Sequence, residues 1–334
     1  MASPLSGQAF QTYQAIGIRE DLEDVIYNIS PVETPFMTMC GRKTATATYH
    51  EWQVDALAAA ATNQMIEGND AAGGTSTPTT RMGNYTQISS KYAVVTDTVN
   101  AVDKAGRGSE MAYQVAKRLG ELKRDMELAL TQNQGSTAGG AASPRSSASL
   151  ESWLTSTTGN ANITFSGNST SIGTGGNYTT PGYGAGGFAG PTDASLTATF
   201  TVTPLKHVIN NCWTKGGNPG IIMVGGTQKQ VVSGFAGIAT LYREAGSTAK
   251  GTAIVGAADI YISDFGEHRI VPNRFQRNRT AFVLDMDYWS VAYLRKVSQK
   301  EIARTGGSEK RFIDVEFCLV AENPASSGKI ADLA

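Results

Sequence analysis

Between residues 109 and 131, apolar side chains recur at Met111, Val115, Leu119, Leu122, Met126 and Leu130, in steps of three or four. That spacing draws one buried stripe along a helix. Ser109, after Gly106 and Gly108, is placed to cap it. Glu110, Lys117, Arg118, Lys123, Arg124 and Asp125 take the remaining surface. At ~1.5 Å per residue the helix is roughly 30 Å long. Burying its six apolar side chains is worth on the order of 10 kcal/mol before conformational entropy is charged. It is the scaffold for whatever packs beside it.

A different pattern precedes it. Residues 44–97 read as a long extended arm, leaving along 44–55 and returning along 85–96, with a tract of Ala, Thr, Gly and Asn between. An isolated two-stranded ribbon is marginal in water. The arm therefore needs cover, from the rest of the chain or from another copy of it. Upstream, Ile18, Leu22, Val25, Ile26 and Ile29 follow helical spacing, with Glu20, Asp21, Glu23 and Asp24 in the early turns. Acids suit that positive helix end, and Pro31 ends the helix.

Residues 132–199 are rich in Gly, Ser, Thr and Asn, with a small apolar island at Leu150, Trp153 and Leu154. A tract this long without periodicity reads as an exposed insertion. From Thr203 an α/β pattern begins. Helices are expected at 204–215 and 227–235, the first with Leu205, Val208, Ile209 and Cys212 on one face. Strands are expected at 221–224, 253–263, 280–285, 291–294 and 312–321, with a short tail after Glu322. No internal repeat is visible.

Composition narrows the function classes. Lys plus Arg number 28 against 29 Asp plus Glu, and charged residues make up 17% of the 334. No global basic field points to nucleic-acid recognition. The low charge fits a chain that covers surface in contacts as well as one diluted by a polar tract. The three cysteines, Cys40, Cys212 and Cys318, match no zinc spacing and read as small buried hydrophobes. The start has no secretory pattern, no apolar run approaches a membrane span, and the sequons at Asn28, Asn84, Asn162, Asn168 and Asn177 read as chance products of composition. Folding in a cytosol is the expectation.

Chemistry is scarce. Gly225-Gly226 lies between a strand and a helix but lacks either phosphate-binding glycine motif, and reads as a tight turn. Asp285-Met286-Asp287 has no His or Glu pattern to complete a metal site. His50, His207 and His268 are scattered, and no nucleophile, base and orienting group can be assembled. No catalytic residue, cofactor or metal is expected. One basic cluster remains, His268, Arg269, Arg274, Arg277 and Arg279. It reads as a solvated loop, as a set of partners for a neighbouring subunit's carboxylates, or as a contact with packaged nucleic acid.

Short stretches then carry a resemblance. They are 15–22, Ile29-Ser30-Pro31, Thr34-Pro35-Phe36, His50-Glu51-Trp52-Gln53-Val54-Asp55-Ala56-Leu57, Glu67-Gly68, Pro144-Arg145, Trp153, and Trp213 with Gly216-Gly217-Asn218-Pro219. With the order of parts, they resemble the major capsid proteins of tailed bacteriophages, the Hong Kong 97-type fold. The match spans most of the chain and is weakest at 155–199. The resemblance implies an α+β fold. Its parts would be an N-terminal arm (1–43), an extended loop (44–97) and a peripheral domain with the spine helix (98–154). An insertion (155–200), an axial domain (201–290) and a return to the peripheral domain with a tail (291–334) would follow.

The function implied is self-assembly into an icosahedral head around a double-stranded DNA genome. Partners would be further copies in hexamers and pentamers, a scaffolding, cement or portal protein, and DNA bound without sequence preference. The place would be the virion, after synthesis in a bacterial cytoplasm. Heterologous contacts of arm on neighbour close into rings when the rotation allows. The expected inter-subunit residues are Trp52, Val54 and Leu57 against an adjacent copy, and Glu51 and Glu67 against Arg118 or Arg124. The competing readings are a non-viral shell-forming compartment protein, a phage adhesin or fibre, and an enzyme with an unrecognised site.

Overall fold

The computed structural model describes residues 31–55, 57–69, 74, 76, 78–104, 106, 108–154, 193, 199–235 and 259–334. The helix expected at 18–29, most of the 155–199 tract and the first part of the 253–263 strand lie outside them. In chain order the helices are α1 (Pro35–Met39), α2 (Asp97–Ala101), α3 (Glu110–Thr131), α4 (Leu150–Trp153), α5 (Val202–Thr214) and α6 (Gly226–Ser233). The strands are β1 (Gly41–Thr44), β2 (Tyr49–Val54), β3 (Thr80–Tyr85), β4 (Gln87–Thr96), β5 (Ile221–Val224) and β6 (Ile260–Ser263). They continue with β7 (Gly266–Pro272), β8 (Ala281–Leu284), β9 (Trp289–Ile302), β10 (Ser308–Ala321) and β11 (Gly328–Ile330).

The spine helix α3 forms where its stripe places it. Ser109 Oγ accepts the Ala112 N–H at 3.4 Å, and Met111, Val115, Leu122, Met126 and Leu130 are buried. They lie on a four-stranded sheet of order β1-β9-β10-β4. The alternation of a strand assigns the faces of β10. Ile313, Val315, Phe317 and Leu319 join the spine core. Cys318 and Val320 face the other way, onto Ala45 and Ala292. The sequence expected only 291–294 and 312–321 here. β9 and β10 instead form one hairpin with 14 residues in each strand.

A second sheet, ordered β11-β8-β5-β7-β6, is mixed, with β5 and β7 parallel. Its central strands are apolar on both faces, as strands covered on both sides are. Ile222, Val224 and Val283 meet Leu205, Val208 and Ile209 of α5 and Val232 of α6. Met223, Phe282 and Leu284 point to the opposite side and join the spine core. The tail expected after Glu322 is corrected. Residues 328–330 are a buried strand beside β8, and Leu333 is in the core. The chain there passes so close to Gly217 that a Cβ on it would lie 2.5 Å from the Ser326 carbonyl oxygen. Among the described residues, no helix is long and apolar enough to cross a membrane.

Candidate assembly surface

The hairpin β2/β3 is smaller than the arm read from the sequence. β2 pairs with β3 from Tyr49↔Tyr85 to Val54↔Thr80. The expected returning strand, β4, belongs to the four-stranded sheet, where it pairs with β10 over ten residues. The hairpin also has a core within its own chain. The Trp52 ring lies 5.5 Å from that of Trp153, and Trp52 Nε1 donates to the Ala321 carbonyl at 2.9 Å. Val54 packs on the same cluster. Trp52 and Val54 are thus partly buried within their own chain, where the sequence reading had the arm without a core of its own. Apolar surface at the hairpin base finds its partner on Trp153 and the four-stranded sheet, which the sequence alone did not reveal.

Asn84 locks that base. It is fully buried, and its amide donates to the Leu319 carbonyl (2.7 Å) and towards Ser147 Oγ (3.1 Å) and the Ala148 carbonyl (3.2 Å). Its own carbonyl accepts the Ala148 N–H at 2.9 Å. Next to it, Thr86 Oγ1 donates to Glu316 (2.8 Å), which also takes Arg145 (2.5 Å) and Arg295 (2.9 Å). Asp314 accepts from Ser298 (2.6 Å) and from Arg295 (2.5 Å). Burial pushes the Asp314 carboxyl up, but Ser298, Lys300 and Arg295 together hold it below the usual range.

Past Val54 the chain leaves this support. Leu57 is 99% exposed and Ile66 83%, and Met65 and Glu67 are exposed with them. The expected charged contacts do not form within the chain. Glu51 pairs with Arg81 across its own hairpin at 2.6 Å. Arg118 pairs with Glu121 one turn along the spine at 2.6 Å. The Arg124 guanidinium sits 5.6 Å from the Phe275 ring centroid. Glu67 has no ion-pair partner among the described residues. The structure thus gathers Glu51, Trp52 and Val54 on the hairpin, leaves Leu57 and Glu67 on the distal loop, and sets Arg118 and Arg124 apart on the spine.

The basic cluster is mostly satisfied internally. Arg277 binds the buried Glu151 through Nε (3.0 Å) and Asp193 (2.7 Å), and Arg279 pairs with Asp332. Lys329, fully buried, donates to the Glu151 carbonyl at 2.9 Å. His268 is buried, with Nδ1 2.5 Å from the Pro219 carbonyl and Nε2 2.6 Å from Ser263 Oγ. Burial lowers its pKa against the Pro219 bond, and the neutral ring serves both contacts. Loop solvation and cross-subunit pairing give way at these residues. Their partners lie far along the same chain. Arg269 and Arg274 do remain exposed. Asp285 is a cap, accepting the Asn218 N–H at 3.0 Å and the Asp287 N–H at 3.4 Å. No group of metal-ligating side chains occurs among the described residues.

One surface escaped the sequence reading. Ile88, Tyr92 and Val94 share a parity on β4 and stay exposed on the face away from the spine. The Tyr92 ring lies 4.9 Å from that of Phe312. The alternation is present in the sequence, but only pairing with β10 shows which face it exposes. A second exposed aromatic, Trp213, lies 5.2 Å from Phe265.

Comparison with known proteins accounts for a site built of contact surfaces. The major capsid protein of Escherichia phage Phieco32 is 27% identical over 354 residues, covering 98% of this chain and 97% of that one. Among solved structures, the capsid asymmetric unit of cyanophage A-1(L) superposes with a TM-score of 0.64 at 14% identity, over 97% and 98% of the two chains. A chain of the native GTA particle capsid does so with 0.60 at 8% identity, over the full length of both. At such identities these likenesses establish the fold, a phage-capsid fold of Hong Kong 97 type. The SU10 major capsid protein model matches residues 5–334. The chain therefore belongs to the SU10 major capsid protein family.

Proposed function

We propose that copies of this tailed-phage major capsid protein close into an icosahedral head around a double-stranded genome, with the distal loop at 57–69 of each copy seated on a neighbour. One observation carries the reading. Leu57, Met65 and Ile66 stand in solvent at the end of a hairpin whose base is packed and hydrogen-bonded. Large apolar side chains held in solvent on a loop with a packed base fit a contact site better than a free surface. Glu67 on the loop and Arg118 and Arg124 on the spine supply opposite charges for the seat, with Glu51 directing the loop through Arg81. Exposed ion pairs of this kind add about 0.2–1 kcal/mol each. The apolar contact supplies the affinity and the charges the register.

The unit built on α3 and the four-stranded sheet is the peripheral domain, and the five-stranded unit is the axial domain. Grouping into hexamers and pentamers, contacts with a scaffolding, cement or portal protein, and DNA held without sequence preference complete the reading, with synthesis in the host cytoplasm. The balanced charge of the chain suits a wall that confines DNA rather than gripping it.

The test replaces residues 57–78 with a short Gly-Ser turn that keeps β2 and β3. Electron microscopy of the wild type should show closed shells of uniform size. The variant should keep the wild-type melting temperature and form no shells. Uniform shells from the variant would overturn the seating of the loop, and a wild-type chain that stays monomeric under all assembly conditions would overturn the function.

A further inference from the structure

Helix α1 does not have the means to form alone. Its five residues are far below the about twelve that an isolated helix needs in water. Its N-cap residue, Thr34, makes no side-chain cap. Pro35 opens the helix without an N–H, so the first donors needing a partner are the amides of Phe36 and Met37. Both are taken by one side chain from the spine. Phe36 N–H donates to Glu127 Oε1 at 2.8 Å and Met37 N–H to Glu127 Oε2 at 2.9 Å.

The same carboxylate reaches a third part of the chain. Asn273, in the loop after β7, donates through Nδ2 to Glu127 Oε1 at 2.7 Å. Asn273 is itself fixed, its N–H on the Val224 carbonyl at 2.9 Å and its Oδ1 on the Phe275 N–H at 2.9 Å. Glu127 and Phe36 are fully buried. A carboxylate at such a position is costly unless fully hydrogen-bonded, and packing of the spine stripe alone would be served by an apolar residue. Its three bonds join the spine, the chain entering β1 and the five-stranded sheet.

We propose that Glu127 is a positioning residue for shell assembly. By capping α1 from the spine and holding Asn273, it fixes the chain entering β1 and the five-stranded sheet against the spine, and hence the surfaces these parts present to neighbouring copies. The inference rests on the capsid reading above. Glu127→Gln keeps the size and shape but turns one acceptor oxygen into a donor. The carboxamide NH2 then faces the Met37 N–H, donor against donor, and one of the two capping bonds is lost.

The experiment measures amide hydrogen exchange at Phe36 and Met37 in the unassembled full chain, and particle uniformity by electron microscopy. In Glu127→Gln, exchange at Met37, whose N–H faces the atom that becomes the NH2 group, should rise about tenfold or more, with exchange at 119–122 in the spine unchanged. The particles should be mixed in size. Wild-type exchange or uniform particles in the variant would overturn the proposal. If Glu127→Gln does not fold, Asn273→Ala is read in its place. It leaves the carboxylate present but less firmly held, so the same two amides must exchange faster by a smaller factor. Unchanged exchange there overturns the proposal as well. A wild type without shells refutes the capsid reading, whereas uniform wild-type shells with an unaffected Glu127→Gln variant refute only the role of Glu127.

Discussion

Asn84 and Lys329 show how much of this molecule rests on single buried polar groups. The Asn84 amide bridges the hairpin, the 147–148 segment and β10. Removing it leaves the Leu319 carbonyl and the Ala148 N–H without their partner. Asn84→Ala is expected to cost about 3 kcal/mol, read as a lower urea midpoint of the unassembled chain. Lys329 tests the ionic cluster by pH. Burial, only partly offset by Glu151, pulls its pKa from 10.5 down to about 8. The folded chain then releases this proton before the unfolded chain does. Between about pH 8 and about pH 10.5 the unfolded state binds more protons, so this group makes stability rise with pH in that window. Lys329→Met should abolish the rise, worth about 2–3 kcal/mol, in urea midpoints followed from about pH 7 to about pH 10.

At the scale of elements, local periodicity was a sound guide where one face is buried by its own neighbourhood. The spine begins at Glu110 with its Ser109 cap, and β5 spans Ile221–Val224, because their apolar patterns need no distant partner to be recognised. The arm was misjudged for a specific reason. Trp52 and Val54 alternate with polar residues as a free ribbon would, and the surface that receives them is supplied by Trp153 and β10. Trp52→Ala should therefore lower the stability of the single chain by about 3 kcal/mol, and amide exchange in β2 should quicken. A Trp52 that served only a neighbour would leave the unassembled chain unaffected. The distal half of β9 was missed because Arg295, Lys296, Lys300 and Glu301 break the apolar alternation there. Its identity as a strand comes from pairing with β10.

For the whole molecule, the two sheets share a core through Met223, Phe282 and Leu284, and the end of the described chain closes the second sheet. Truncation after Glu322 removes Ile330 and Leu333 from that core. At about 2 kcal/mol for each buried side chain, with the β11 hydrogen bonds lost as well, such a chain should not give a cooperative thermal transition. A dispensable tail would leave the transition in place. The candidate contact residues divide along the same line. Leu57 and Glu67 were legible as exposed loop residues, whereas Arg277 and Arg279 looked available for a neighbour until Glu151, Asp193 and Asp332 were brought to them.

The sequence by itself determined the spine helix, the central apolar strands and, through short matched stretches, the family. These are set by hydrophobic period and by residue identity, which a linear reading contains. The tertiary structure alone decided that β4 leaves the arm, that the hairpin base is packed at home, and that Glu127 caps a helix 90 residues away. Each depends on a partner distant along the chain, and a polar or aromatic side chain carries no local sign of which distant group will satisfy it.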